Sequence, residues 1–473
     1  MEKVRDHCGF GVTHTLHDAY SFGKSLQHRG RDAAGIVAKG ESRIDVLKWI
    51  GGVERFDVTD LHKLFPSDNY HTYLVHTRYA TKGRKDKLLD DAHPHVVGGK
   101  AEFRGDHVIF LDCDAAIVHN GQVSESYFRD LDKEYLKTDC DSEALLHLFL
   151  KKGPAKFLED VKGAYTMAVA KKKSNSVLVL RDRTGIKPGV IGWKDGKYGA
   201  ASEDIVFRKN GGHFIEDLQP GAFYTIFPDS RPPECIKVVE PELAFDFFEW
   251  NYIADADSVI NGVAVRRVRE LLGEGLAEEF KEDADLVTYV PRCPETASRS
   301  FARKKQVLFK PIFYKMREER SFQGPTSEER EESISQNLFL VPSAENILRG
   351  KRVAVIEDSF VRGNVAKRIF SLLENSGAVE INVLSYTPPV GVVGSDGIAR
   401  GCLFGVDMPP NDDFLAREGA RNRTIEEISR KIGGEKNFKI SYLSLDGMLR
   451  AFEKAGMPRK NLCTYCLGGC LPF

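Results

Sequence analysis

Short apolar runs separated by polar turns dominate the first half of the chain. Cys8-Gly9-Phe10-Gly11-Val12, Tyr73–His76, Val108–Leu111 and Thr166–Ala170 have the length and the branched or aromatic content of buried strands. Ser142–Lys151 and Ala155–Val161 instead repeat their apolar positions at helical spacing, and no internal repeat shows. After the turn-rich Arg231-Pro232-Pro233-Glu234-Cys235 the rhythm changes. Val263–Lys281 predicts a helix, Leu286–Val290 a strand, Glu295–Lys305 a helix, and Arg352–Ile356 a buried strand feeding a helix from Ala366. Alternating helices and strands of this kind predict an open α/β sheet. The chain therefore divides into a leader, 1–7, a first domain, 8–235, and a second, 245–473.

Composition narrows the class. At 473 residues the chain is long enough for two or more domains. Its 68 basic and 69 acidic residues leave a formal net charge of −1, so no bulk field points to nucleic acid or to a membrane surface. No apolar run approaches the ~20 residues of a membrane span. Asp6, His7, His14, His17 and Asp18 rule out a secretory leader, so a cytoplasmic location is expected. Nine mostly isolated cysteines argue against a disulfide framework. The exception is Cys463-x-x-Cys466-x-x-x-Cys470, which reads as a redox pair, a zinc half-site or cluster ligands.

The candidate chemistry begins at Cys8. If residues 1–7 are cut away, Cys8 carries a free α-amine with a pKa near ~8. One residue then supplies both the nucleophile and the base that activates it. Thiol attack on a carboxamide builds an oxyanion, which the Asn120 side-chain amide and the Gly121 backbone N–H can receive. Arg78 suits the α-carboxylate of a free amino acid through a bidentate fork, and Asp141 suits its α-ammonium. Each residue also has a plainer reading: Asn-Gly is commonly a tight turn, and Asp before Ser a helix cap. In the second half, Arg352–Ile356 leads into Glu357-Asp358-Ser359, then Arg362-Gly363-Asn364 and a helix. A loop feeding a helix N-terminus is an anion site, and acidic residues at a strand end hold ribose hydroxyls directly or through Mg²⁺.

Five motifs occur in one order: Cys8-Gly-Phe-Gly, Leu26-Gln-His-Arg-Gly-x-Asp-Ala-Ala-Gly-Ile, His76-Thr-Arg-Tyr-x-Thr, His119-Asn-Gly and Asp141-Ser-Glu. Together they resemble the glutaminase domain of class II glutamine amidotransferases. Within that class the whole chain resembles the amidophosphoribosyltransferase family. The resemblance implies an α/β two-domain fold: an αββα N-terminal-nucleophile hydrolase domain followed by a type I phosphoribosyltransferase-like domain. It implies residues 1–7 as a propeptide, Cys8 as nucleophile, Asn120 and Gly121 as oxyanion hole, and Arg78 and Asp141 as glutamine clamps. Arg29, Tyr79 and Thr81 would shape or close that pocket. Glu357, Asp358, Ser359, Arg362, Gly363 and Asn364 would bind phosphoribosyl pyrophosphate, with Mg²⁺ at Glu357 and Asp358. The products would be glutamate and 5-phosphoribosylamine for purine synthesis, in a homo-oligomer.

Two departures bear on the acceptor. The family pattern of two aspartates and then Arg-Gly-Thr-Thr is here Glu357-Asp358 and Arg362-Gly363-Asn364-Val365, so two hydroxyls for the 5′-phosphate are replaced. A different phosphorylated acceptor, or a nucleotide-sensing protein with a decayed transferase pocket, stays open on these residues. Some family members also hold a [4Fe–4S] cluster. Here the resemblance implies Cys402, Cys463 and Cys466 as ligands, with one of Asp246, Cys470 or Cys235 as the fourth.

Overall fold

The computed structural model describes residues 8–79, 87–129, 131, 136–138, 140–315, 337–406, 408–411, 413–434 and 436–473. The leader 1–7 and Thr81 lie outside them.

The first unit is built on thirteen strands linked in one hydrogen-bonded series. Strand Gly9–Thr13 lies between Thr72–Arg78 and Lys197–Ala201, and Ala33–Lys39 continues the sheet beyond Thr72–Arg78. The 17-residue strand His107–Val123 pairs with Gly163–Lys171. Period-2 alternation explains why these strands are buried on both faces. Phe10, Val12, Val37, Leu74, Val118 and Ala168 point into one shared core between layers. Their neighbours Ile36, Tyr73 and Val75 pack instead with helix Leu16–Ser25. Ile117, Met167 and Val169 pack under helices Asp141–Lys152 and Pro154–Asp160. The result is helix, sheet, sheet, helix, the αββα sandwich. Glu234–Lys237 is its last strand and forms one edge of the sheet, with Cys235 exposed on it.

The second unit has a five-stranded sheet, ordered Leu308–Phe309, Leu286–Tyr289, Arg352–Glu357, Glu380–Ser385, Phe438–Tyr442, with every pairing parallel. Such sheets need cover on both faces. Along the central strand Val353 and Val355 join one core, and Ala354 and Ile356 the other. The helix expected over Val263–Lys281 starts later, at Val265, because Val263–Ala264 pairs with Val259–Ile260 across an Asn261-Gly262 turn. Both turn residues have positive φ, 49° and 74°, as tight hairpin turns demand. Among the described residues no helix is long and apolar enough to cross a membrane.

Candidate active sites

Cys8 is fully buried at the start of the first strand. Gly9 pairs with Thr77, so the next step of the register sets Arg78 across from Cys8. His76, on that same strand, hydrogen-bonds through Nε2 to the His119 carbonyl at 3.0 Å. This bond ties the nucleophile's neighbour to the long strand one residue before Asn120. Burial pushes the His76 pKa down to about 3, so the ring is neutral at pH 7.

Asn120 is fully buried, and neither its Oδ1 nor its Nδ2 has a hydrogen-bond partner. Buried side-chain amides are ordinarily satisfied, so Asn120 keeps a donor and an acceptor that no group of the fold uses. Gly121 has φ of 148°, and a Cβ there would lie 2.0 Å from the Ala164 carbonyl oxygen. Only glycine lets this backbone through. An Asn120→Ala substitution is expected to lower glutamine turnover by about 10²–10³-fold in kcat, the usual loss for one oxyanion donor, with glutamine KM little changed. Steady-state glutamate release measures it.

Asp141 opens its helix, where a carboxylate opposes the helix dipole. Its Oδ2 accepts from the Val123 N–H at 3.3 Å and its Oδ1 from Ser142 Oγ at 3.3 Å. Arg78 reaches the Leu88 carbonyl at 3.3 Å and Asp91 at 3.8 Å. Arg29 has a different setting from the pocket-lining role the motif implied. Its guanidinium is fully buried between Glu203, 2.5 Å away, and Glu249, 2.8 Å away, and its Nε donates to the Cys8 carbonyl at 3.0 Å. Burial opposes its charge, but the two carboxylates outweigh burial and raise its pKa. Burial likewise opposes ionisation of Glu203, yet His28 and Arg29 hold its carboxyl well below the ordinary range. Glu203 also accepts from Ser258 Oγ at 2.5 Å and from the Asp255 N–H at 3.0 Å. Glu203 belongs to Ala201-Ser202-Glu203, a stretch that matches the family pattern and serves structure here, whereas the pairing of Glu249 with Arg29 is what sequence reasoning missed. The hint was a glutamate inside the apolar Phe247-Phe248-Glu249-Trp250 run.

A cavity of about 840 Å³ opens between the units. Gly30, Arg31 and Tyr79 line it from the sandwich, and every residue from Glu357 to Asn364 lines it from the parallel sheet. Glu357 and Asp358 sit at the carboxyl end of the central strand, where open α/β sheets bind ligands. Glu357 Oε2 is buried without a partner, and burial together with Asp358 raises its pKa. Ser359 Oγ donates to Asp358 Oδ1 at 3.0 Å. Gly363, at φ 88°, turns the loop into helix Asn364–Asn375, whose first N–H groups face the loop.

Cys402, Cys463, Cys466 and Asp246 line one small pocket where the units meet. Asp246 pairs with Cys463 in register, is buried, has no partner for Oδ2, and is pushed up to about 7 by burial. Cys470 and Cys235 are exposed and do not line this pocket. Lys187 Nζ donates to the Gly405 carbonyl at 2.7 Å and binds the sandwich to this corner.

An αββα sandwich with a buried cysteine just ahead of its first strand, joined to a five-stranded parallel sheet, defines an N-terminal-nucleophile glutamine amidotransferase with a phosphoribosyltransferase-like unit. Residues 109–235 match the family described as a glutamine amidotransferase domain. The chain is 32% identical over 459 residues to an amidophosphoribosyltransferase of Archaeoglobus fulgidus, covering 94% of this chain and 92% of the relative. It is 30% identical over 500 residues to that of Mycobacterium tuberculosis, covering 100% and 88%. In fold it is similar to the glutamine phosphoribosylpyrophosphate amidotransferase of B. subtilis complexed with ADP and GMP, with a TM-score of 0.77 at 24% identity over 98% and 96% of the two chains. The chain belongs to the amidophosphoribosyltransferase family.

Proposed function

We propose that this protein hydrolyses glutamine at Cys8 and delivers the ammonia to phosphoribosyl pyrophosphate, giving 5-phosphoribosylamine for purine synthesis. The observation that carries the reading is the cavity lined by both the Gly30–Arg31 loop and the Glu357–Asn364 loop. Ammonia released into such a space reaches an acceptor without crossing bulk water, where it would be protonated and diluted.

Removal of residues 1–7 frees the Cys8 amine, which takes the thiol proton as sulfur attacks the glutamine carboxamide carbon. Asn120 Nδ2–H and Gly121 N–H receive the developing oxyanion, while Arg78 and Asp141 hold the α-carboxylate and α-ammonium. Collapse breaks the C–N bond, the amine returns its proton to the leaving nitrogen, and water then cleaves the thioester to glutamate. On the acceptor side Glu357 and Asp358 bind ribose hydroxyls, and Arg362 and the helix N-terminus receive the 5′-phosphate. The unsatisfied Glu357 oxygen beside Asp358 fits a hard oxygen-seeking cation, and Mg²⁺ there neutralises pyrophosphate charge when bound. Cys402, Cys463, Cys466 and Asp246 fit the [4Fe–4S] cluster of some family members: three thiols and one unsatisfied carboxylate share a pocket. Such a cluster would staple the domain division, which we place between Lys237 and Phe245. A cytoplasmic homo-oligomer completes the reading.

Asn364 and Val365 favour one other reading, an acceptor with a different phosphorylated sugar. A hydroxyl's hydrogen bond to a charged phosphate is worth about 1.5–3 kcal/mol, and two such hydroxyls are replaced here. Turnover of glutamine with phosphoribosyl pyrophosphate and alternative sugar phosphates decides between them. Asp358→Asn is expected to weaken acceptor stimulation of glutamine hydrolysis by roughly 10–150-fold in acceptor concentration, the same energy for one charged hydrogen bond, with basal hydrolysis retained. Unchanged stimulation would move the acceptor site elsewhere.

A further inference from the structure

Directly behind the glutamine pocket lies a group of donors that the reaction does not use. The ring nitrogens of His93 and His95 and the thiol of Cys140 lie within 4.8 Å of one another, and all three residues are buried. The three come from two places: His93 and His95 stand at the start of strand His95–Arg104, and Cys140 caps helix Asp141–Lys152.

The surroundings match a metal's outer shell. His93 Nε2 bonds Ser142 Oγ at 2.7 Å, and the same hydroxyl takes His119 Nδ1 at 2.8 Å. That leaves His93 Nδ1 buried with no partner. A ligating histidine ordinarily presents one nitrogen to the metal while a polar group orients the other, which is the arrangement found here. His76 stacks on the His93 ring, centroids 4.1 Å apart, and locks its plane. Lys48, buried and bonded to the Asp90 and Ala92 carbonyls at 2.9 Å each, interacts electrostatically with Cys140.

We propose that His93, His95 and Cys140 form a binding site for a zinc-class divalent ion, which braces Asp141 and Asn120 from behind. Two imidazoles and one thiolate are a borderline donor set of the kind Zn²⁺ and Co²⁺ take, and magnesium does not. Bond lengths of about 2.0–2.3 Å set tetrahedral donors roughly 3.3–3.8 Å apart, so the three atoms close by about 1.5 Å at most on binding. Cys140 is bonded in sequence to Asp141, and His93 is linked through Ser142 and His119 to Asn120. The metal thus fixes the base of the pocket at two points. The bracing role rests on the glutamine reading above; binding of the ion does not.

The test uses full-length protein carrying Cys463→Ser and Cys466→Ser, which silences the other thiol group, stripped of metal and titrated with Co²⁺. One equivalent with a thiolate-to-cobalt charge-transfer band is expected. Cys140→Ser should abolish that band, and His93→Gln should weaken binding at least 10-fold. X-ray absorption of the zinc-loaded parent, which needs no further variant to fold, should find nitrogen at about 2.0–2.1 Å and a single sulfur at about 2.3 Å. A band indifferent to Cys140→Ser, or a shell with no sulfur or several, overturns the site. Metal removal should raise the glutamine KM more than it lowers kcat; an ion bound by these ligands with KM unmoved overturns the bracing role alone.

Discussion

Cys8→Ala is expected to lower glutamine-dependent turnover by about 10⁴-fold or more, the scale on which a covalent nucleophile is lost, while turnover with ammonium salts persists. The separation follows from the architecture. Cys8 heads a strand of the sandwich, and Glu357–Asn364 sit on a different sheet with cores of their own. Removing one buried sulfur leaves a small cavity and an intact strand register, so the acceptor site keeps its geometry. Ammonia from solution then enters the cavity that Glu357–Asn364 line. Initial rates with glutamine and with ammonium, each in the presence of acceptor, measure both halves in one preparation. Equal loss with both nitrogen donors would mean that Cys8 supports the fold, and retained glutamine turnover would put the nucleophile elsewhere.

The alternation of apolar positions carried most of the strands and the change from sandwich to parallel sheet. It failed where polar residues interrupt a continuous element. The apolar runs Val108–Leu111 and Ala115–Val118 belong to one strand, His107–Val123. Asp112 and Asp114 break the pattern between them, and Asp112 has a φ of 59°. The strand passes through because its partner His95–Arg104 shifts register there to accommodate it. The helix start at Val265 was legible in Asn261-Gly262, a hairpin turn that helical periodicity overrode. Local pattern locates Cys8, Glu357 and Asp358 because each stands at a strand end, whereas Asn120 and Gly121, expected at one too, lie inside the strand His107–Val123. It says nothing about which side chains meet across hundreds of residues. Arg29 finds Glu203 174 residues away and Glu249 220 away. Asp246 lines the same pocket as Cys402, Cys463 and Cys466 across a comparable sequence distance.

Arg29→Leu is expected to destabilise the protein by about 3–5 kcal/mol, the penalty for stripping the partner from a buried ion pair. The side chain neutralises two carboxylates at once, and neither can retreat to solvent: Glu203 is fully buried and Glu249 nearly so. Glu203 keeps His28, Ser258 and the Asp255 N–H. Glu249 keeps less, since its hydrogen bonds to Arg29 Nη1 and Nη2 are the ones that anchor it to the sandwich. Most of the loss therefore falls on Glu249, and Arg29→Leu combined with Glu249→Gln should recover a large part of it. Denaturant unfolding of the two single variants and the double variant closes the cycle. The same substitution also frees the Cys8 carbonyl from Nε, so surviving folded protein should lose glutaminase activity beyond its loss of stability. Glu249 starts the segment Glu249–Ile253 that leads to Tyr252 and Ala254 on the cavity wall. One guanidinium thus joins the nucleophile's backbone to the wall of the acceptor cavity. In the Arg29→Leu, Glu249→Gln double variant, acceptor binding should no longer change the rate of glutamine hydrolysis even where stability is restored. Undiminished acceptor stimulation in that variant would confine Arg29 to holding the units together.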